Sequence, residues 1–375
     1  MTYDPLLRAL PATLDELPTP VLVVDVDRLD RNISDMAGRF AAAGVRLRPH
    51  IKTSKCWAVA RRQLAAGAIG FTCSTPAEVA WLQEHGVPDL LLAHLPVGPR
   101  KVEFVVAAAA RGGLTVALDS AEAARPLAVA AAAAGIVVPF VLEVNTGHAR
   151  TGVEPDAAGA RAAELAGLGG LRLRGVQTHE GHLAAHSDRG ARERAGTAAG
   201  TLLGEIAARL RADGHELDMV SVGSTPGATS APFAPGVTEG RPGTYVYYDA
   251  NQVRLGSAAL GRCALTVLAR VVSVQRSGRA IIDAGIKAMS SDTIAAAGSV
   301  GVACDPAVRP VPGVVFAEAN EEHGFLTGGG AAALSVGDLV RVVPNHACGT
   351  TNMWSHVVAA RGDLLLGDWP ICARY

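Results

Sequence analysis

The chain has 375 residues, 49% of them apolar and 18% charged, with a formal net charge of −1 at pH 7. That length holds one large barrel with an added domain, or two domains, and a near-neutral chain without a basic block lacks the electrostatic footprint of a nucleic-acid or membrane-surface binder. The stretch from Met1 to Pro20 carries Asp4, Asp15 and Glu16 with no continuous apolar run, and no span of about 18 apolar residues follows, so neither a signal peptide nor a membrane segment is expected.

In chain order, residues 20–25 read as a strand and residues 27–43 as a helix. From Val45 onward strand-like and helix-like segments alternate. The strand candidates are 45–48, 69–73, 90–93, 114–118, 138–144, 173–177, 219–222 and 244–248, separated by Ala-rich stretches with helical spacing. Eight strands alternating with helices over roughly 200 residues fit a (β/α)8 barrel of the TIM type, in the α/β class. A doubly wound sheet gets little support, because no Gly-x-Gly-x-x-Gly follows the first strand. After about Asn251 the texture changes to β-branched alternation punctuated by Gly and Pro: 265–274, 279–282, 314–317, 339–343 and 357–360. The expected division is a barrel over 27–250 and a mainly β C-terminal domain over 251–375, joined by the N-terminal strand 19–26. The six cysteines (Cys56, Cys73, Cys263, Cys304, Cys348, Cys372) have no framework spacing and read as free thiols of a cytoplasmic protein.

In such a barrel, chemistry collects at the C-terminal ends of the strands. The first strand ends in Arg48-Pro49-His50-Ile51-Lys52-Thr53. A lysine at a barrel mouth is a candidate Schiff-base nucleophile, since partial desolvation frees an amine; the plainer alternative is a solvated loop lysine. Strand five is followed by a Gly-rich turn carrying Arg150, placed to contact a phenolate or carboxylate or else simply exposed. Strand six leads into Gln177-Thr178-His179-Glu180-Gly181-His182, whose two histidines read as a hydrogen-bonded pair unless a third ligand joins them. Gly223-Ser224-Thr225 after strand seven suits a phosphate: glycine admits close approach, successive N–H groups form an anion nest, and two hydroxyls add donors.

In the second domain Asn345-His346-Ala347-Cys348 follows a strand. In extended chain residues i and i+2 face one side, so His346 and Cys348 can grip one ion. A thiolate with an imidazole favours Zn²⁺ over Mg²⁺ or Mn²⁺, and two ligands leave positions open for water or substrate. Glu321-Glu322-His323 and Asp283 with Lys287 are either neighbours of that site or solvated hairpin charges.

Taken in order, these motifs resemble the fold-type III pyridoxal-phosphate enzymes of the D-serine dehydratase / D-threonine aldolase family, relatives of alanine racemase. The resemblance is carried by Arg48 to Thr53, Cys73-Ser74-Thr75 with Glu78, Arg150-Thr151-Gly152-Val153, Gly223-Ser224-Thr225-Pro226, Arg241-Pro242-Gly243-Thr244-Tyr245, Asp283-Ala284-Gly285 with Lys287, Glu321 to Gly324, and Pro344 to Cys348. It implies a barrel plus a β-domain, assembled as a head-to-tail homodimer whose active site takes residues from both chains. It implies that Lys52 holds pyridoxal 5'-phosphate and is catalytic, that Gly223, Ser224 and Thr225 hold the phosphate, and that Arg150 lies near the phenolic oxygen. His50, Gln177 and Tyr245 complete the expected cofactor set. His346 and Cys348 would bind a divalent metal, Zn²⁺ first, with Mn²⁺ or Mg²⁺ as alternatives. Two departures stand out: Thr53-Ser54-Lys55 replaces the family's common Thr-His-Lys, and the tract 177–182 matches only loosely.

The implied activity is a lyase acting on D-configured 3-hydroxy amino acids as small-molecule substrates. Loss of the β-hydroxyl gives a 2-oxo acid and ammonia; retro-aldol cleavage gives glycine and an aldehyde. Within the family His-x-Cys goes with dehydratases and His-x-Asp with many aldolases, which favours dehydration. A non-catalytic pyridoxal-phosphate-binding protein has no need of the metal motif, and a metal-free racemase would need a tyrosine base from the second domain. Past Asn251 the sequence holds only Tyr375.

Overall fold

The protein is described from a computed structural model covering residues 12–186, 188–292 and 298–374. It divides into two compact units. One comprises Met36–Lys52 and Gln63–Gly243; the other comprises the described residues up to Asp35, Thr53–Arg62 and Thr244–Arg374.

The strands in chain order are β1 (Val21–Asp25), then β2 (Arg46–Leu47), β3 (Phe71–Cys73), β4 (Leu90–Leu92), β5 (Leu114–Leu118), β6 (Val138–Glu143), β7 (Leu171–Thr178), β8 (Met219–Val222) and β9 (Glu239–Gly240). The last eight form one parallel sheet in the order β2-β9-β8-β7-β6-β5-β4-β3. Its end strands also meet: His50 and Thr72 form a parallel bridge, and Ile69 N donates to Leu47 O at 3.0 Å. Seven of the eight strands lie where the apolar runs place them. The eighth does not. It is Glu239–Gly240, whereas Thr244–Val246 is a 3₁₀ turn in the other unit. Pro242 cannot donate to a ladder, so the strand stops short of it. Tyr245, Val246 and Tyr247 are buried, and a short buried apolar run looks the same in a strand as in a helical turn.

The interior of this sheet is charged where small barrels are usually aliphatic. Arg48 is fully buried, with Nε 2.9 Å and Nη2 3.1 Å from the Glu239 carboxylate and Nη2 2.8 Å from Asp89. Ser221 Oγ donates to Glu239 Oε1 at 2.8 Å. Full pairing is the condition for burying such groups, since an unpartnered charge there costs several kcal/mol.

The second unit holds β10 (Leu265–Arg276), β11 (Arg279–Ile282), β12 (Gly301–Cys304), β13 (Val315–Ala319), β14 (Gly324–Thr327), β15 (Leu339–Pro344), β16 (His356–Arg361) and β17 (Leu364–Pro370). These join β1 in a sheet ordered β11-β14-β13-β12-β15-β10-β1-β16-β17, and a further β10–β11 pairing closes six antiparallel strands into a small barrel. β10 reaches its several partners because it is 12 residues long and shifts register between Val271 and Ser273. β1 pairs antiparallel with β10 and parallel with β16, which explains its unbroken apolar run, Val21 to Val24, buried on both faces. Among the described residues no helix is long and apolar enough to cross a membrane.

Candidate active site

Lys52 sits in a 3₁₀ turn, Ile51–Thr53, half-buried directly after β2. His50 braces that turn. Its Nδ1 accepts the Lys52 N–H at 3.4 Å, which leaves Nε2 protonated and facing Ser74 Oγ at 3.3 Å. The loop after β6 is an Asx turn: Asn145 Oδ1 accepts from Gly147 N at 3.0 Å and from Ala149 N at 2.9 Å. It closes at Gly152, whose φ of +98° and 2.9 Å gap between any Cβ and Asn145 N exclude other residues. Arg150 is thereby presented, exposed, beside His148, His179 and Thr151.

The turn after β8 is held from the end of β7. Glu180 Oε2 accepts the Gly223 N–H at 2.9 Å, and His179 Nδ1–H donates to the Gly223 carbonyl. His179 is kept neutral: burial first, then the nearby Lys52, Arg150 and Arg241 cations, pull its pKa down to about 3. Burial pushes the Glu180 carboxyl upward. Arg241 fixes the remaining side, donating to Ser221 Oγ and, at 2.8 Å, to Thr178 O.

This turn fits a phosphate. The Thr225 hydroxyl is buried and has no hydrogen-bond partner, and Gln177 Oε1 is orphaned likewise. A Cβ on Gly227 would stand 2.6 Å from Glu180 Oε1 and 2.8 Å from Ser224 Oγ; one on Gly223 would stand 3.0 Å from Arg241 Nη2. The Ser224 hydroxyl is engaged within the turn, accepting from Gly227 N at 2.9 Å and bonding to Glu180. Thr225, not Ser224, has the open donor.

In the other unit His346 is extended (φ −138°, ψ 103°) and caps the helix Ala347–Met353. Cys348 therefore lies in a first helical turn and not in extended chain, yet its side chain still hydrogen-bonds the imidazole. That contact, followed by Asp292, raises the His346 pKa to about 9. Cys348 Sγ is 3.2 Å from Thr53 Oγ1. Asp249, its own carboxyl raised to about 6 by burial, accepts the Ala347 N–H at 2.9 Å and so holds the backbone between His346 and Cys348. A neighbouring imidazole and thiol form a borderline-soft donor set that fits Zn²⁺. Among the described residues no group of three or more His, Cys, Asp or Glu is placed to hold a metal ion. Glu321 and Glu322 do not join the pair; exposed, they bind Lys287 at 3.5 and 2.8 Å. Asp283 is engaged by Thr19 Oγ1 and Arg270 N. Tyr245 is fully buried in the Thr244–Val246 turn of this same unit.

Residues 24–251 match the alanine racemase N-terminal domain, and residues 264–360 match a putative serine dehydratase domain. The chain belongs to the alanine racemase-like family of D-serine dehydratases and D-threonine aldolases. It is 38% identical over 381 residues to a D-threo-3-hydroxyaspartate dehydratase of Delftia sp. (strain HT23), covering 95% of this chain and 98% of that one. To a D-threonine aldolase of Arthrobacter sp it is 32% identical over 379 residues, covering 99% and 94%. Among solved structures, the Delftia dehydratase superposes with a TM-score of 0.89 at 37% identity, over 96% of this chain and 99% of that chain. A D-threonine aldolase from Filomicrobium marinum superposes with a TM-score of 0.89 at 31% identity, over 98% of both. Membership places the chain in a family of pyridoxal-phosphate-dependent lyases. Sequence reading left four residues of these sites without a role: Glu180, Asp249 and Asp292 carry no local signal, and Arg241 stood in a motif with no function attached.

Proposed function

We propose that the chain is a pyridoxal-phosphate- and Zn²⁺-dependent dehydratase that removes water from a D-configured 3-hydroxy amino acid, of the D-serine or 3-hydroxyaspartate type, releasing a 2-oxo acid and ammonia. The hydrogen-bonded His346–Cys348 pair carries this reading, because a soft donor pair in the β-domain has no use in a metal-free racemase. Two solved variants of a D-threo-3-hydroxyaspartate dehydratase support it: a histidine and a cysteine two positions apart are each replaced by alanine, and the cysteine variant is in a metal-free form. The functional division would follow 27–250 for the cofactor and 251–375 with strand 19–26 for the metal.

When bound, pyridoxal phosphate supplies the electron sink that acidifies Cα, and Zn²⁺ supplies a Lewis acid for the β-hydroxyl. The chain's own residues do the rest. Lys52 holds the cofactor and, as a free amine, moves the proton at Cα. Thr225 Oγ1 and the Gly223 turn bind the phosphate, and Arg150 faces the phenolic oxygen. His50 orients the Lys52 turn, Gln177 offers a buried amide to the ring, and Tyr245 would complete the cofactor set. His346 and Cys348 hold the metal. The working form would be a cytoplasmic homodimer, which light scattering checks by mass.

The deciding experiment incubates the purified protein with D-serine, D-threonine and D-threo-3-hydroxyaspartate and assays 2-oxo acid, ammonia, glycine and aldehyde. Oxo acid with ammonia from at least one substrate, abolished by chelation and restored by Zn²⁺, is expected, with borohydride fixing cofactor to wild type but not to Lys52→Ala. Glycine and an aldehyde as sole products would establish the aldolase instead, which the equally well superposing aldolase structure keeps in view. Bound cofactor with no product from any substrate would leave a non-catalytic binder.

A further inference from the structure

The carboxylate of Asp292 lies 2.5 Å from His346 Nδ1. A ring nitrogen held that way by a carboxylate keeps its proton and cannot ligate, so Nε2 is the nitrogen that can give up its proton to a metal. The distance also separates this contact from co-ligation, because two donors on one Zn²⁺, each about 2.0–2.2 Å from it at tetrahedral angles, stand well over 3 Å apart. We infer that Asp292 is a positioning residue for the metal, fixing the tautomer and orientation of His346 so that Nε2 faces the ion beside Cys348. The inference rests on the metal reading above and extends it to a residue 54 positions away in sequence.

The arrangement is built into the fold. Asn345, the residue before His346, is buried, and its side-chain amide donates to Asp292 O at 2.9 Å and to Ser299 O at 2.8 Å. The residue before the ligand is therefore tied directly to the backbone of the orienter. Gly349 makes room for this approach: a Cβ there would stand 3.2 Å from Ser290 Oγ and 3.5 Å from Asp292 Oδ2. Thr350 Oγ1 adds a further tie by donating to Met289 O. Carboxylate partners of ligating histidines raise ligand basicity and restrict ring rotation, and their loss typically weakens metal binding about ten- to a hundredfold. Half of the Asp292 side chain is open to solvent, at 53% exposure, which places the effect toward the lower end of that range and leaves the variants free to fold.

The test is Zn²⁺ affinity of the cofactor-loaded protein, by competition with a chromophoric chelator, for wild type, Asp292→Ala, Asp292→Asn and His346→Ala. X-ray absorption at the zinc edge of the saturated proteins runs alongside. Asp292→Ala is expected to weaken Zn²⁺ about tenfold or more while its zinc keeps the wild-type set of nitrogen, sulfur and oxygen donors. Asp292→Asn retains an acceptor for Nδ1–H and is expected to recover part of the loss, with cofactor absorbance unchanged in both. Unchanged affinity in Asp292→Ala overturns the inference, and so does loss of an oxygen donor from the zinc shell, which would make Asp292 a ligand. If wild type itself binds no Zn²⁺, or His346→Ala binds it as well as wild type, the metal reading fails and the inference falls with it.

Discussion

Replacing Thr225 by valine should move two properties in opposite directions. Valine keeps the shape of the side chain and removes only a hydroxyl, which is buried at 7% residue exposure with no partner among the described residues. An unpaired buried hydroxyl costs about 1–3 kcal/mol, so the cofactor-free variant should be more stable than wild type by about 1 kcal/mol. In the loaded protein the same hydroxyl would donate to a phosphate oxygen, a charge-assisted bond worth about 1.5–3 kcal/mol. Its loss should raise the cofactor dissociation constant roughly ten- to a hundredfold. Thermal midpoints of the cofactor-free proteins in one buffer give the first quantity, and absorbance titration with pyridoxal phosphate gives the second. A general packing defect cannot mimic the pair of results, since it would lower both. Affinity within twofold of wild type, or a destabilised cofactor-free variant, would refute the assignment of Thr225 to the phosphate.

Three further outcomes follow from the same geometry. Arg48→Met strands the buried Glu239 carboxylate, while Asp89 keeps Arg174, and should cost about 3–5 kcal/mol in chemical denaturation, with the double variant Arg48→Met/Glu239→Gln recovering part of it. Gly227→Ala should lose cofactor affinity in the same titration, because the added Cβ meets Glu180 Oε1 at 2.6 Å and must displace the carboxyl that holds Gly223. His179 has a folded pKa of about 3, below the ordinary value near 6.5, so its neutral form contributes fully above about pH 6.5. That contribution falls by about 1.4 kcal/mol per pH unit as the pH drops toward 3; the acid limb of stability should flatten in His179→Gln, and NMR should find the ring neutral at pH 5.

The parts of this fold legible in sequence are those with a local cause. Apolar runs such as Leu114–Leu118 and Met219–Val222 are buried strands and announce themselves. The eighth barrel strand is two residues long, and β12, β14 and β17 are short or interrupted by glycine, so none rises above its surroundings. Lys52, the Gly223 turn and the His346–Cys348 pair stand out as candidates in sequence because each is a compact motif to which a chemistry can be proposed. Their supports do not. Gly223 is held by His179 and Glu180, 44 and 43 residues distant, and His346 by Asp292, 54 residues distant. Only tertiary folding creates those contacts, and periodicity carries no trace of them.

On the proposed reading, the charges of the barrel interior leave Lys52 and Arg150 available for an anionic cofactor. Arg48 is matched by Glu239 and Asp89, Arg174 by Asp218 and Asp89, and Arg241 is engaged by Ser221 and the Thr178 carbonyl. Glu180 is occupied by the Gly223 N–H, and its burial disfavours the anionic form that would repel a phosphate. Among the described residues neither Lys52 nor Arg150 has an ion-pair partner of its own. Both still reach His179, since together with Arg241 they help to hold that ring neutral. A neutral His179 can donate its single Nδ1 proton to Gly223 and set the phosphate turn without adding charge. On the proposed reading Lys52 would hold the cofactor, and Arg150 would be the unmatched cation left to meet its phenolate oxygen, where opposite charge lowers the cost of burial.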